Sequence, residues 1–342
     1  MAGGFYDILI AMKFFPKISI NISVIFGGKC QTVLQSLKKV KYPDNLYEIV
    51  IIEGNHLTKQ RNIGTKFSKG EIIYLLDNDS RVRSDALQLI AKDFTDKKVA
   101  AAGGPSLTPK NEKNHFSQIV GYLLATYFGA YRMRFKWSMQ TKNNIISDYH
   151  FIGSNLALRK KFVNQINGFD EKFKANDETE LLRRLKDKGY KLKYNHKLIV
   201  YRSQRSNISL LVKQFKHYGK GRMQHLLKNF KREDFFLLIP IVFEIYLLTI
   251  IFYHPLWYFL PLLLYILLAL ATSLKASIKY RKIKLLWQMT LLFPIVHLAY
   301  ATGLLNELLD KFNNNRSKEV NYKIKVIKYK SMGNYSNLPG KN

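Results

Sequence analysis

Two acidic clusters about a hundred residues apart carry the chemistry this sequence can do. Asp77-Asn78-Asp79 closes the apolar, β-prone run Glu71-Ile-Ile-Tyr-Leu-Leu76, and Asp177-Glu178-Thr179-Glu180 opens a segment with Leu181, Leu182 and Leu185 at helical spacing. A strand ending in carboxylates at i and i+2 presents at least one of them to a hard cation, because the turn leaving the strand re-aims the second side chain. Such a cation suits a diphosphate, so the pairing points to metal-assisted group transfer. By itself the triplet is weak evidence, since Asp-x-Asp is frequent in solvated loops. For the second cluster two readings stand side by side: a general base held at a helix N-terminus, or plain complementation of the helix dipole.

The elements that must position these groups alternate. Asn21–Phe26 reads as a strand, Gln31–Val40 as a helix, Tyr47–Ile52 as a strand, Lys59–Phe67 as a helix, Glu71–Leu76 as a strand, Asp85–Phe94 as a helix and Val99–Ala102 as a fourth strand. Repeated strand-helix-strand units predict an α/β fold, with a mostly parallel sheet covered on both faces and ligands at the strands' carboxyl ends. Gly27-Gly28, Glu53-Gly54, Asp77-Asn78-Asp79 and Gly103-Gly104 all fall at those ends. Beyond them, His115–Trp137 reads as one long amphipathic, aromatic-rich helix, either packed in a core or lying at a membrane interface, with Arg132, Arg134 and Lys136 at its end. Phe151–Arg159 reads as a further strand, and Gly168-Phe-Asp-Glu171 as the turn into the second acidic cluster.

The C-terminal third differs in kind. Three apolar runs, about 235–253, 257–274 and 285–305, each approach the ~20 residues that cross a bilayer as a helix. The 55 Lys and Arg against 24 Asp and Glu would ordinarily raise nucleic acid as a partner, but no zinc-finger spacing or aromatic RNA-binding signature accompanies them. The charge concentrates instead beside the apolar runs, at Lys220–Arg232 and Lys275–Lys284, which fits a membrane with the catalytic part on the cytoplasmic side. The single Cys30 excludes an internal disulfide and agrees with a reducing compartment. The chain therefore divides into a lead-in over 1–18, a catalytic domain over 19–230, a membrane region over 231–305 and a basic tail over 306–342. A third full crossing would export that tail against the charge rule, so a bent or interfacial third helix around Pro294 and His297 is favoured. Glu244, inside the first run, is expected to face a neighbouring helix.

Several segments resemble family 2 glycosyltransferases, in order. Ser23-Val-Ile-Phe is similar to that family's first strand, Glu53-Gly54 to its acidic-Gly nucleotide contact, Gln60-Arg61-Asn62 to its Ala-Arg-Asn helix start, and Gly70–Asp79 to its metal strand. Gly168-Phe-Asp-Glu followed by Asp177-Glu178-x-Glu180-Leu181 resembles its late acidic block, and Gln214–Arg222 a segment that exopolysaccharide transferases of the succinoglycan type carry before their membrane part. The resemblance spans residues 19–230 and implies a GT-A fold. It departs from the family in four places: Gly27-Gly28-Lys29-Cys30 replaces Pro-Thr-Tyr-Asn, the stretch between Glu53 and Gln60 is much shorter than usual, the acidic pair is reversed as Asp177-Glu178, and Val200-Tyr201-Arg202-Ser203 stands where a metal-proximal His is usual.

What the resemblance implies is inverting transfer of a sugar from a nucleotide-sugar donor to a lipid-linked or polysaccharide acceptor, in a possible envelope glycan assembly complex. Asp79, with Asp77, would hold Mg2+ or Mn2+ on the donor diphosphate, and Asp77 and Asn78 would place ribose or metal-bound water. Gly27, Glu53 and Arg61 would lie on the nucleotide side. Glu178 would be the base, with Asp177 as the second choice. Gln214, Lys220 and Arg222 would hold acceptor or diphosphate, and Arg202 would neutralise phosphate in place of the missing His. Two other classes stay open at this level: a catalytically silent membrane scaffold, and a processive synthase.

Overall fold

The computed structural model of the chain describes residues 15–139, 147–173, 175–253, 255–312 and 325–329. Most of the lead-in and of the basic tail lies outside these residues. Strand β1 (Ile18–Ile25) is buried on both faces because helices cover the sheet on each side. It pairs in parallel with β2 (Tyr47–Gly54) and β3 (Ile72–Asp77), with Ile25 opposite Gly54 and Ser23 opposite Asp77. That register brings the three strand ends to one rim. Helices α1 (Gln31–Leu37) and α2 (Leu57–Phe67) make the two crossovers.

Strand β4 (Arg81–Val82), helix α3 (Ala86–Asp93) and strand β5 (Val99–Gly103) follow. After the short β6 (Ser106–Leu107) comes the predicted long amphipathic helix, which is broken into α4 (His115–Leu124), α5 (Tyr127–Ala130) and a 3-10 segment, Tyr131–Lys136. Thr126 causes the break, since its side chain accepts from the Gly129 N–H and caps a new helix. The kink turns Lys136 inward, where it is buried.

Strand β7 (Asn155–Arg159) then enters between β3 and β5 and runs antiparallel to both. It starts at the rim, so Gly153 and Ser154 join the site. Helices α6 (Lys160–Gln165) and α7 (Asp177–Asp187) precede β8 (Lys191–Tyr194), and the seven-stranded sheet, whose edge is the late strand β10 (Lys325–Tyr329), has the order β10-β2-β1-β3-β7-β5-β8. The expected α/β architecture is present, with two strands reversed. A second, three-stranded sheet orders β4, β9 (Val200–Tyr201) and β6.

Helix α8 (Ile208–Lys228) carries the chain to the apolar region. Arg183 of α7 binds Asp148 at 3.0 Å and Asp234 at 2.8 Å, and Tyr149 also donates to Asp234, so the first residues of that region are pinned to the chain's α/β part through α7. The first apolar run is not one long helix. It forms a 3-10 segment over Arg232–Leu238 and then α9 (Ile239–Thr249), 11 residues that cover about 16 Å of the ~30 Å hydrocarbon layer. Leu256–Tyr280, which contains α10 (Leu260–Tyr280), and α11 (Leu285–Phe312) are long and apolar enough to cross.

Helix α11 lies along α8. Gly219 of α8 and Gly303 of α11 let the two backbones touch, since a Cβ on either would stand 2.2 Å from a carbonyl oxygen of the other helix. Near its start, Gln288 meets His115 at 3.2 Å, and near its end Glu307 meets Gln224 at 2.9 Å and Asp310 meets Lys220 at 2.9 Å. Glu244 faces α11 as expected, accepting from Thr302 at 3.0 Å. The chain then returns as β10 (Lys325–Tyr329), antiparallel on the edge of β2 with Lys325 opposite Glu53. A membrane-impermeant maleimide applied to intact cells should therefore treat Lys311→Cys and Lys66→Cys alike. Labelling of only one would establish that α11 crosses.

Candidate active site

A cavity of about 1370 Å³ opens at the rim where β1, β2 and β3 end. Its polar end is walled by Ser23, the Gly54–Leu57 turn, Asp77 and Asn78, and its centre by Asp177, Glu178, Arg202, Gln214 and Arg222. Gln60 ties the rim together, donating to the carbonyls of Val24 (2.8 Å) and Ile52 (2.6 Å). Asn62, two residues on, accepts from Phe169 N–H (2.8 Å) and donates to the Phe169 carbonyl (2.9 Å). That holds the Gly168–Glu171 turn, whose Gly168 has φ +69°, and so fixes the approach to α7.

Asp177 and Glu178 are both buried, on the first turn of α7, behind Asn176 in the left-handed conformation. Arg61 places one Nη at 2.7 Å from each oxygen of Asp177. Gly153 is required beside this pair, because a Cβ there would lie 2.2 Å from the Arg61 guanidinium. Burial and the neighbouring Glu178 push the Asp177 carboxyl up, against the pull of Arg61. Glu178 is the opposite case: burial opposes its ionisation, but Lys136, 3.0 Å from Oε1, and Arg61 more than offset this and hold its carboxyl well below the usual range. Neighbouring carboxylates thus have their titrations driven apart.

Lys136→Met should raise the Glu178 pKa, so that a reaction needing the ionised carboxylate loses rate at higher pH on acidification. The acid limb of the pH–kcat profile is expected to move up by about one unit or more. An unmoved limb would separate Glu178 from the proton transfer.

At the strand end, Arg202 stands 2.7 Å from Asp77 Oδ2 and 2.7 Å from Asp79 Oδ1. Asp79 Oδ1 is shielded from solvent and is met by the Arg202 guanidinium alone among the described charged groups. Two hard carboxylates, one with such an oxygen, fit Mg2+ or Mn2+. Among the described residues no cluster of three or more His, Cys, Asp or Glu surrounds them, so further ligands would come from phosphate and water.

Arg222 is buried over the Tyr149 ring at 4.7 Å, its Nη2 donating to Asn176 at 3.3 Å, and among the described residues no acidic side chain pairs with it. Beyond it the cavity turns apolar, between Leu124, Phe128, Phe243, Leu264, Leu268 and Val296 of the helices. Of the site residues expected from sequence, Asp77, Asn78, Arg61, Asp177, Glu178, Gln214 and Arg222 wall one space. Asp79 touches it through Arg202. Gly27, in a turn at φ +71°, and Glu53, on β2, stand beside the wall without forming it. Lys220 is turned away to Asp310. Lys136 and Arg205 also wall the cavity and were not expected there; for Lys136 the Arg132-x-Arg134-x-Lys136 run was a signal.

The family model described as Glycosyl transferase family group 2 matches residues 72–305, from β3 through α11. The chain belongs to this family. As a family 2 glycosyltransferase it has the GT-A arrangement, and it superimposes on the mannosyltransferase PcManGT from Pyrobaculum calidifontis, solved with GDP-Man and Mn2+, with a TM-score of 0.53 and 12% identity over 90% of this chain and 95% of that one. It also aligns with TarS of S. aureus, at TM-score 0.37 and 12% identity over 65% of this chain and 45% of that one. No curated protein matches the glycosyltransferase in sequence.

Proposed function

We propose that this glycosyltransferase moves a sugar from a nucleotide-sugar donor to a lipid-linked acceptor at the membrane, in cell-envelope glycan synthesis, with inversion at the anomeric carbon. The carrying observation is the single cavity that joins a polar rim at Asp77 to an apolar arm between α9, α10 and α11. A water-soluble acceptor has no need of that arm. An acceptor with a hydrocarbon tail would lay it there while its head reaches Glu178.

The nucleotide rests against Ser23 and the Gly54–Leu57 turn, with Gly27 and Glu53 behind them and Asn78 beside the ribose. When bound, Mg2+ or Mn2+ held by Asp79 and Asp77 supplies positive charge against the diphosphate leaving group. Glu178 takes the proton from the attacking hydroxyl, kept ionised and oriented by Lys136. Asp177, with both oxygens on Arg61, is better placed to position α7 than to accept a proton, and Arg61 acts through that pair. Gln214 and Arg222 hold the acceptor's head group, because a buried guanidinium with no acidic partner is costly unless an anion meets it.

The basic segment Lys275–Lys284, which is the end of α10 and the turn after it, contacts α4 through Lys282, which donates to Gln118 at 2.8 Å, and positive-inside orientation then favours the cytoplasm for both. Leu268→Trp, which fills the apolar arm, tests the acceptor class. KM for a long-chain lipid-linked acceptor should rise about tenfold while a short-chain analogue of the same sugar is unaffected. Equal loss with both would remove the tail from the arm.

A further inference from the structure

Arg202 follows β9, and the pairing of β9 with β4 (Tyr201 opposite Arg81) carries it to the end of β3. There one guanidinium neutralises both carboxylates assigned to the divalent cation, at 2.7 Å from each. Arginine donates only and keeps its charge at every physiological pH, so it is never a metal ligand. A divalent cation approaching Asp77 and Asp79 therefore meets a positive charge already at contact distance.

A diphosphate changes both sides of this balance. Its oxygens offer Arg202 charge-assisted, bidentate partners. They also complete a coordination shell for which two aspartates are too few, in the way Mg2+ is commonly held by one or two carboxylates plus substrate phosphates. Arg202 lines the same cavity as Asp77 and Asn78, so it already faces the proposed diphosphate position. The cavity of about 1370 Å³ that Arg202 lines leaves the side chain room to swing away from the carboxylates. Asp79 is about half exposed, so its contact with Arg202 lies where solvent and a ligand can reach it.

Resting on the donor reading above, we propose that Arg202 is an exchangeable counter-cation. It occupies Asp77 and Asp79 until the donor's diphosphate draws it away, so that metal enters with the donor and not ahead of it. The free protein then binds divalent metal poorly, and Arg202 becomes a diphosphate ligand when the donor is present.

The test is a titration of the full-length protein in detergent with Mn2+, followed by the electron paramagnetic resonance signal of the free ion. Without nucleotide, Arg202→Gln should bind Mn2+ at least about tenfold tighter than the unmodified chain, since a charge in contact with both ligands has been removed. Arg202→Lys keeps the charge and should stay within about threefold of the unmodified chain, which also separates charge from damage to the fold. Adding UDP, GDP or dTDP should tighten Mn2+ binding of the unmodified chain about tenfold or more and that of Arg202→Gln much less. Equal Mn2+ affinity of the unmodified chain and Arg202→Gln without nucleotide would overturn the proposal. So would equal tightening of both by a diphosphate that binds. Failure of all three labelled nucleotides to bind either form in equilibrium dialysis would count against the donor reading and overturn the exchange, while the Mn2+-alone comparison would still decide whether Arg202 blocks the metal.

Discussion

Glu178→Gln should fold, bind its nucleotide-sugar donor as the unmodified chain does, and turn over about 10²–10⁴-fold more slowly, the usual contribution of a positioned general base. The amide keeps the size of the side chain and can still meet Lys136, which lies 3.0 Å from Oε1, so the change falls on proton acceptance. Single-turnover transfer measured beside donor binding separates the two quantities. The companion change, Asp177→Asn, weakens the pair with Arg61 and should loosen the start of α7. Its signature is a lower Tm together with the lower rate. If Asp177→Asn stops transfer at unchanged Tm while Glu178→Gln remains active, the base is Asp177.

Asp79→Asn should retain the fold and lose metal-dependent turnover. The side chain is at a strand end, 47% exposed, and packs no core, so stability should change by no more than about 0.5 kcal/mol. The effect on rate is expected at about 10²-fold or more, because charge on the departing diphosphate goes uncompensated. Raising Mn2+ should restore part of it through the remaining Asp77. Unchanged kcat in Asp79→Asn would take the strand-end carboxylate out of the reaction.

Much of this site is legible before any coordinates. The ends of β1, β2 and β3 can be located from alternating apolar runs, because buried strands and the glycines and carboxylates that stop them have distinct chemistry. The direction of β7 cannot, since Asn155–Arg159 has the same apolar pattern read either way. Its reversal is what carries Gly153 to Arg61. Pairings across long separations are equally hidden. Lys136 and Glu178 are 42 residues apart, and nothing in either segment names the other. A cation at Arg202 is readable, but its seat on both Asp77 and Asp79 depends on a two-residue strand pair too short to leave a pattern. Hydropathy finds the three C-terminal runs and not their fates, because an apolar helix packed on α8 has the same composition as one facing lipid. Gly219 and Gly303 are the residues that distinguish them, and only their contact gives this away.

The central claim is group transfer from a nucleotide sugar to a lipid. The direct measurement is incubation of the purified protein in lipid bilayers with Mn2+, lipid-linked acceptors and a panel of nucleotide sugars radiolabelled in the sugar, followed by organic extraction. The account predicts label in the organic phase for at least one donor, its appearance slowed about 10²-fold or more with Glu178→Gln and lost with EDTA. Label that stays on the nucleotide although the donor is bound, or that appears only in a water-soluble product, would contradict it.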